Sequence, residues 1–319
     1  MPLLEVKNLE VSFDTPEGEI QAVRGIDFVL EPGEGLAIVG ESGSGKSQAM
    51  LAILGLLAEN GTARGEALFQ GEDLLAMSRQ ELNRHRGRDI AMIFQDPMTS
   101  LNPYLNIERQ MVEVAMHHQG LSRREARDHA IAMLTAVRIP DAEQRIRQYP
   151  HEFSGGMRQR IMIALGLLCE PEILIADEPT TALDVTVQVQ IAQLVAEVTA
   201  RSNMASILIT HDLGVVAGTS DKVLVMYAGQ VVEYGTVAQI YNDPLHPYTR
   251  GLIESVPRLD RRDHELHAIP GNPPNLLSLP DGCSFRDRCT RAFDACADLP
   301  PLETLPDGRQ KRCFLEPGA

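Results

Sequence analysis

The eight residues at positions 40–47 constrain the fold more strongly than any other part of the chain. Their sequence, Gly-Glu-Ser-Gly-Ser-Gly-Lys-Ser, fits the pattern G-x-x-x-x-G-K-[ST]. In this pattern, glycines let the backbone wrap a phosphate with several N–H groups pointing inward. An apolar run at 36–39 precedes the pattern, and a helix predicted to reach Leu57 follows it. The chain is therefore predicted to bind a nucleotide, with Lys46 contacting the phosphates and the Ser47 hydroxyl coordinating Mg²⁺.

Strand and helix patterns alternate along the first three quarters of the chain. Capping boxes at Ser78 and Ser122 each predict the start of a helix. The other predicted elements are strands at 4–13, 26–30, 36–39, 90–94, 173–176 and 207–209, mainly helix over 98–165, a helix at 186–201 and a hairpin at 223–234. Such alternation predicts an α/β fold with a parallel sheet that is covered on both faces.

Composition excludes several classes of protein. The chain has 319 residues and a formal net charge of −15, which argues against general nucleic-acid binding because that requires a basic surface. The longest apolar run, at 49–58, is too short to span a membrane, which needs about 20 residues. No basic start followed by an apolar run is present at the N-terminus, so no secretory signal is expected. The five cysteines are then expected to be thiols or thiolates.

Two carboxylates follow a predicted buried strand. Asp177 and Glu178 come directly after the apolar run at 173–176, and the end of such a strand is where an open α/β sheet binds its ligand. Asp177 is a candidate for holding Mg²⁺ through water, and Glu178 for polarising the attacking water. Without the phosphate loop, a solvated acidic pair would explain them equally well.

Three further candidates carry weaker signals. Ser154 is predicted to cap an apolar helix at 161–168, and the glycines that follow it expose N–H groups that suit an anion. An ordinary turn before a helix would have the same sequence. His211 follows the strand at 207–209 and could contact a γ-phosphate, but a lone histidine is more often structural. Gln95 is unremarkable when taken alone.

Together these motifs occur in one order that resembles the nucleotide-binding subunits of ABC transporters. The order comprises the phosphate loop, Gln95, the Phe-Ser-Gly-Gly-Met segment at 153–157, the Asp177–Glu178 pair, the Thr-Ala-Leu-Asp segment at 181–184 and His211. The resemblance covers about residues 4–243. It implies a P-loop NTPase fold of ABC type, with a mostly parallel sheet, an N-terminal antiparallel β subdomain and a helical subdomain at about 98–165.

The resemblance also implies a role for each matching residue. Phe13 matches an aromatic residue that stacks on adenine, Glu178 the catalytic base, His211 the switch histidine and Asp184 the D-loop aspartate. The implied ATP-binding set is Phe13, Gly40, Glu41, Ser42, Gly43, Ser44, Gly45, Lys46, Ser47 and Gln48. The implied Mg²⁺ set is Ser47, Gln95 and Asp177.

Members of the resembled family place two ATP molecules between two subunits. The resemblance therefore implies that Ser154, Gly155, Gly156 and Met157 act on ATP held by a second, related ATPase subunit. The family's usual signature is Leu-Ser-Gly-Gly-Gln, and this chain has methionine in the last position. Met157 cannot supply the hydrogen bonds of a glutamine amide, so we expect the two ATP sites to differ.

The amino-acid composition of the chain changes at about residue 244, after which proline and cysteine are frequent. Four of its five cysteines, Cys283, Cys289, Cys296 and Cys313, lie in this proline-rich tail. Four thiolates within about 30 residues can bind Zn²⁺ or an iron–sulfur cluster, although the C-x₂-C pairs common in zinc sites are absent. Cys169 follows an apolar helix and is predicted to be a buried core thiol. We therefore divide the chain into a nucleotide-binding domain at 1–243 and a C-terminal extension at 244–319.

Three segments of the tail also resemble a known family. His-Pro-Tyr-Thr at 246–249, Pro-Gly-Asn-Pro-Pro at 270–274 and Gly-Cys-Ser-Phe-Arg-Asp-Arg-Cys at 282–289 resemble the C-terminal extension of oligopeptide/dipeptide-importer ATPases. Members of that group with this cysteine pattern carry a [4Fe-4S] cluster, which the resemblance favours over zinc. A structural staple is the simpler role for such a cluster, and a redox role is an alternative.

The resemblance predicts an ATPase that energises peptide import. The implied partners are a second ATPase, two transmembrane permease subunits and an extracytoplasmic peptide-binding protein. The implied location is peripheral, on the cytoplasmic face of the inner membrane. Three alternatives remain at this point. They are import of nickel, glutathione or a sugar, a soluble ABC ATPase acting on nucleic acid or ribosomes, and a redox-sensing module with incidental hydrolysis.

Overall fold

A computed structural model describes residues 1–95, 100–179, 185–256 and 268–316. The chain divides into two compact units. The first contains Met1–Glu31, Gly35–Met77 and Ile209–Ala319, and the second contains Pro32–Glu34 and Ser78–Leu208. Residues that are distant in sequence thus fold together in the first unit.

The strands of the described residues are β1 (Leu4–Thr15), β2 (Gly18–Leu30), β3 (Gly35–Val39), β4 (Gly61–Phe69), β5 (Glu72–Asp73), β6 (Ile90–Ile93), β7 (Ile173–Asp177), β8 (Ala205–Thr210), β9 (Lys222–Tyr227), β10 (Gln230–Thr236), β11 (Glu303–Thr304) and β12 (Gln310–Lys311).

The α-helices of the described residues are α1 (Lys46–Ile53), α2 (Arg79–His85), α3 (Ile107–Gln119), α4 (Arg123–Ala136), α5 (Ala142–Arg145), α6 (Gly155–Leu167), α7 (Val185–Ser202), α8 (Leu213–Val216), α9 (Val237–Asn242) and α10 (Pro247–Glu254). Short 3₁₀ turns form at Pro150–Glu152, Arg286–Arg288 and Asp294–Ala297.

The first unit contains an antiparallel sheet in the order β2-β1-β4-β5. Its other strands follow the order β11-β12-β10-β9-β3, in which β3 and β9 are parallel and β9 and β10 form a hairpin. All five residues of β3 are buried, as expected for a strand that is covered on both faces. The first unit therefore has the N-terminal antiparallel sheet that the sequence predicts.

The second unit combines three strands with a helical region. In it β7 lies between β8 and β6, and β6 and β7 are parallel. Its core draws on helices α3, α4 and α6, whose buried residues include Met111, Leu134 and Ile163. In α3 and α4 the buried residues recur along one side of the helix, and that side faces the core. In α6 the four consecutive residues 161–164 are buried, so this helix is covered on several sides.

Most predicted elements form as expected, including both capping boxes. The Ser78 and Ser122 side chains each accept the backbone N–H of the glutamate three residues later, and each glutamate accepts from the serine backbone. Helix α1 is shorter than predicted and ends at Ile53 rather than Leu57. The reason is Gly55, whose φ of +60° leaves the helical region. Cys169 is half-buried rather than fully buried, because it lies beyond the end of α6.

The tail contributes strands and side chains to the first unit. Strand β12 pairs antiparallel with β10, through Glu233 opposite Lys311. Phe285 is buried in the same apolar cluster as Tyr227 and Tyr248. Strands from the two sides of residue 244, β10 and β12, thus belong to the same sheet. A domain boundary at that residue remains a prediction.

A search of the described residues finds no helix that is both long enough and apolar enough to cross a membrane.

His246 gives the first unit a predictable response to pH. Its ring is buried, its Nδ1 atom accepts the backbone N–H of Tyr248 at 3.0 Å, and burial lowers its pKa to about 3. The unfolded chain takes up this proton near pH 6.5 and the folded chain does not, so stability is lost as pH falls below 6.5. We expect the stability advantage of wild type over His246→Asn to shrink by roughly 1 kcal/mol between pH 6.5 and 5.5.

Urea unfolding of both proteins at the two pH values measures this difference. Asparagine retains a side-chain acceptor at the N-cap and does not titrate, so the comparison isolates the imidazole. An advantage that is equal at both pH values would contradict the prediction.

Candidate nucleotide site

The phosphate loop connects β3 to α1 and lies against neighbouring backbone. A Cβ atom at Gly40 would overlap the carbonyl oxygen of Met226, and one at Gly45 would overlap that of Ala22. Gly45 also has a φ of +97°, which residues with a side chain rarely adopt. At Gly43, by contrast, φ is +79° and a Cβ atom would have no other atom within 4 Å. The loop is thus tightly packed on one side and open on the other, as a phosphate cradle requires.

Lys46 and Ser47 begin helix α1. The Lys46 Nζ atom donates to the carbonyl oxygens of Gly40 at 2.7 Å and Glu41 at 2.9 Å. No acidic residue lies in the first turn of α1, so no carboxylate there competes for the positive end of the helix. The ammonium group therefore lies within the loop, where a phosphate would be bound.

Two residues that sequence reasoning did not single out contact the loop at Glu41. The Arg288 guanidinium forms a bidentate ion pair with the Glu41 carboxylate, at 2.6 and 2.9 Å. The backbone N–H of Glu41 donates to the Tyr248 hydroxyl at 2.8 Å. The pKa of Arg288 is raised because it hydrogen-bonds to the Glu41 carboxylate, and burial raises the pKa of Tyr248.

The first unit contains three further candidate site residues, which are Phe13, Gln48 and His211. Phe13 lies half-buried in β1, paired with Ile20 and Gly61. Gln48 is half-buried in the first turns of α1, and His211 is exposed directly after β8. The roles of these three residues remain predictions.

In the second unit the structure brings two predicted residues together. Asp177 is the buried last residue of β7, and Glu178 follows it with a φ of +43°. A non-glycine residue in this left-handed region is uncommon and is often found at functional sites. The Gln95 Nε2 atom donates to Glu178 Oε2 at 3.0 Å. Glu178 thus combines an uncommon backbone conformation with a side-chain contact to Gln95.

The signature segment forms the start of α6. Ser154 is the N-cap, as predicted, and its hydroxyl accepts the backbone N–H of Met157 at 3.4 Å. Ser154 and Gly155 are exposed, and Gly156 is half-buried. The Met157 side chain packs against the apolar core of the second unit, with its sulfur 3.9 Å from an Arg145 nitrogen. Methionine therefore contacts the helical core at the position where the family signature has glutamine.

The D-loop candidate Asp184, within the segment 181–184, lies outside the described residues.

The four tail cysteines all belong to the first unit. All are free thiols, and burial raises the pKa of Cys283 to about 11, with smaller contributions from the charges of Cys296, Cys313 and Cys289. Burial likewise raises the pKa of Cys289 and of Cys313. The backbone N–H of Cys283 donates to the Cys296 carbonyl at 3.1 Å, so these two cysteines lie on neighbouring stretches of chain.

A metal centre is not preformed by these thiols. Among the described residues, no group of three or more His, Cys, Asp or Glu side chains is arranged to hold a metal ion. Tetrahedral zinc, with Zn–S bonds of about 2.3 Å, requires sulfur atoms about 3.8 Å apart. The expected metal site therefore stays a prediction.

Comparison with known proteins places these features in a family. A family model described as "ABC transporter" matches residues 23–181, and one described as "Oligopeptide/dipeptide transporter, C-terminal region" matches residues 232–296. The chain is 56% identical over 312 residues to the oligopeptide transport ATP-binding protein OppD of Salmonella typhimurium, covering 98% of this chain and 93% of the relative. It is 51% identical over 317 residues to the dipeptide transport ATP-binding protein DppD of Bacillus subtilis, with 98% and 95% covered.

Solved structures agree on the fold. A dimeric ATP-binding cassette, MJ0796, in a post-hydrolysis state bound to ADP and phosphate, matches with a TM-score of 0.66 and 26% identity, covering 73% of this chain and 98% of that one. The cbiO1 protein of Clostridium perfringens, part of the ABC transporter complex cbiONQ, matches with a TM-score of 0.63 and 28% identity, covering 75% and 90%.

The fold and the site therefore define an ABC-type ATPase, as predicted. Within that class, the chain belongs to the family of oligopeptide and dipeptide transport ATP-binding proteins. Membership implies ATP as the nucleotide and Mg²⁺ as its ion.

The packing of Gly45 leads to a prediction. Substitution Gly45→Ala places a methyl group against the Ala22 carbonyl and strains a φ of +97°, which costs about 1–3 kcal/mol. We expect ATP affinity to fall by about tenfold or more, because the loop must shift to accommodate the methyl group. Titration with a fluorescent ATP analogue measures the change.

Gly218→Ala is the matched control. Gly218 lies in the same unit, its φ is not in the left-handed region, and no atom lies within 4 Å of a Cβ there. ATP binding by Gly45→Ala that equals that of Gly218→Ala would contradict the role assigned to the close contact.

Proposed function

We propose that this chain is the ATP-hydrolysing subunit of an ABC importer and that it drives the uptake of oligopeptides or dipeptides. The observation that carries the proposal is a phosphate loop with Lys46 inside it, in a chain whose relatives over almost its whole length are peptide transport ATP-binding proteins. The tail match to the oligopeptide/dipeptide transporter region supports peptides over nickel or sugars.

The phosphate loop of the first unit supplies the contacts to the ATP phosphates. The backbone N–H groups of the loop and the Lys46 ammonium bind the phosphates, and the positive end of α1 adds to the attraction. Phe13 stacks on adenine. Ser47, Gln95 and Asp177 offer hydroxyl, amide and carboxylate oxygens, the hard donors that Mg²⁺ prefers. The ion supplies charge neutralisation at the phosphates when bound.

The Glu178 carboxylate acts as the general base. It accepts a proton from the attacking water, while the hydrogen bond from Gln95 at 3.0 Å holds it in place. His211 contacts the γ-phosphate. The left-handed backbone at Glu178 supports this assignment, because strain of this kind is retained where geometry matters to function.

A second subunit completes each site. Ser154, Gly155 and Gly156, at the start of α6, bind the γ-phosphate of ATP held by a related partner ATPase. The D-loop role implied for Asp184 stays a prediction. Because Met157 packs against the helical core and offers no amide, the site that this chain completes differs from its own. The matched cassette MJ0796 is dimeric, which supports such a pairing.

The other proposed partners follow from import. Two transmembrane permease subunits form the path for the peptide, and an extracytoplasmic protein delivers it. The chain binds the permeases at the cytoplasmic face of the inner membrane as a peripheral subunit.

Substitution Glu178→Gln tests the proposed chemistry. We expect ATP hydrolysis to fall by about 10²–10⁴-fold, the usual contribution of a general base, with ATP affinity retained. In vesicles that contain the assembled transporter, uptake of a labelled tripeptide stops with hydrolysis. Phosphate release and tripeptide uptake are the two measurements.

Glu170→Gln serves as the control, because Glu170 is an exposed glutamate that also has a positive φ, of 52°. Hydrolysis that survives in Glu178→Gln would remove this residue from the mechanism. Uptake of nickel or a sugar, without uptake of peptide, would contradict the proposed substrate.

We also propose that Cys283, Cys289, Cys296 and Cys313 hold a [4Fe-4S] cluster, with zinc as the alternative. The confinement of the four cysteines to residues 283–313, with the backbone N–H of Cys283 donating to the Cys296 carbonyl at 3.1 Å, supports the proposal. A four-iron cluster is wider than a single ion, so its ligands stand further apart than those of a zinc tetrahedron.

Anaerobic purification followed by iron, sulfide and zinc assays tests the cluster. We expect about four irons and four sulfides per chain, lost when the four cysteines are changed to serine. Cys169→Ser is the control, because Cys169 lies in the second unit. One zinc per chain, or no metal, would contradict the cluster and leave the ATPase proposal unaffected.

A further inference from the structure

A carboxylate within the phosphate loop is unfavourable for binding a polyphosphate. Glu41 follows Gly40, the first residue of the loop pattern, and its carbonyl oxygen lies 2.9 Å from the Lys46 ammonium. A negative side chain at this position repels the phosphates and competes for the positive charge of the loop. The sequence motif gives no reason for a glutamate here, so the surroundings of Glu41 must compensate for its charge.

Arg288 provides that compensation from the C-terminal tail. Its Nη1 and Nη2 atoms bind the two Glu41 carboxylate oxygens at 2.6 and 2.9 Å. The bidentate geometry is the strongest form of such a pair, and it fixes the direction of the carboxylate as well as its charge. The side chain of Arg288 is only 6% exposed, so solvent screens the pair little.

The guanidinium is itself held in place by several neighbours. Its Nε atom donates to the Pro270 carbonyl at 2.8 Å, and its Nη1 atom donates to the Tyr227 hydroxyl at 3.3 Å. It also lies 5.8 Å from the centre of the Tyr227 ring and 5.9 Å from that of Phe285. These distances allow cation–π attraction. Arg288 is therefore held by contacts other than the ion pair with Glu41.

A second group from the tail side fixes the backbone of the same residue. The Tyr248 hydroxyl accepts the N–H of Glu41 at 2.8 Å, and the Tyr248 ring is fully buried beside Tyr227, with ring centres 4.6 Å apart. Tyr248 thus holds the backbone of Glu41, and Arg288 holds its side chain. Nothing in the phosphate-loop motif itself requires either contact.

Arg288 lies between Cys283 and Cys289. This segment turns sharply, with the N–H of Cys289 donating to the Arg286 carbonyl at 3.2 Å. Phe285 anchors the turn against Tyr227 and Tyr248, with ring centres 5.2 and 5.4 Å apart. The cysteine segment therefore presents Arg288 to the phosphate loop.

We propose that Arg288 is a positioning residue for ATP binding, which neutralises Glu41 and holds the first turn of the phosphate loop in its binding conformation. This inference rests on ATP binding at that loop, as proposed above. It makes the C-terminal tail a part of the nucleotide site, although Arg288 itself contacts no phosphate.

The test compares nucleotide affinities of variants of the full chain. We expect Arg288→Met to weaken ATP binding by about tenfold, because it leaves an uncompensated carboxylate in the loop. The loss should be smaller for ADP, which carries less negative charge, and should diminish at high salt. The double variant Glu41→Gln/Arg288→Met removes the repulsion, so its ATP affinity should return toward that of wild type.

Two further variants separate charge, geometry and folding. Arg288→Lys keeps the charge but not the bidentate contact, so its ATP affinity should lie between those of Arg288→Met and wild type. Arg286→Met is the matched control, because Arg286 lies in the same turn and its ion pair is with its exposed neighbour Asp287; its ATP affinity should equal that of wild type. A thermal unfolding scan of each variant reports on folding.

Recovery in the double variant is the result that a merely structural role would not produce. Equal ATP affinities of wild type and a folded Arg288→Met would overturn the inference, as would a double variant that binds no better than Arg288→Met. If Arg288→Met does not fold, the ATP affinities of Arg288→Lys and Glu41→Gln/Arg288→Met are compared with that of wild type instead. An Arg288→Lys affinity equal to that of wild type, or a double variant that binds much more weakly than wild type, would then overturn the inference. Failure of wild type to bind ATP, with no further loss in Lys46→Ala, would instead overturn the proposed function.

Discussion

The close approach of the phosphate loop to two carbonyl oxygens is the constraint on which the first unit depends. Gly40 lies against the Met226 carbonyl of β9, and Gly45 lies against the Ala22 carbonyl of β2. The loop can take its shape only when the N-terminal antiparallel sheet and the β3–β9 pair are both in place. This explains why one compact unit gathers residues from both ends of the chain.

Local patterns predicted the elements whose cause is local. The capping box at Ser122 and the hairpin of β9 and β10 each depend on residues that are close in sequence, and both form as expected. The end of α1 was predicted less well, because a single glycine, Gly55, decided it. The two-residue strands β11 and β12 were not predicted, since β12 exists through pairing with β10 and β11 through pairing with β12, and neither has a periodicity of its own.

The candidate site likewise has parts that local sequence patterns predict and parts that depend on contacts between distant residues. The loop motif and the Asp177–Glu178 pair at the end of β7 were noticed in the sequence because each is a short pattern next to an apolar strand; the roles of the two carboxylates remain predictions. The pairing of Glu41 with Arg288 was not noticed, because 247 residues separate them and no spacing rule connects them. One signal was present: a glutamate within a phosphate loop requires a cation. That signal states the need for a partner, but only the fold identifies Arg288.

The tail contacts the loop by two routes. Arg288 holds Glu41 directly, and β12 pairs with β10, the hairpin partner of the strand that carries Met226. The second route is reinforced beyond the strand, since the Arg312 backbone and side chain donate to the carbonyls of Val232 and Val231 at 2.9 and 3.0 Å. The first set of contacts reaches Glu41 and the second reaches Gly40, both in the phosphate loop. Both arginines adjoin cysteines in the sequence, Arg288 next to Cys289 and Arg312 next to Cys313, so the cysteine segments are the parts of the tail that carry these contacts.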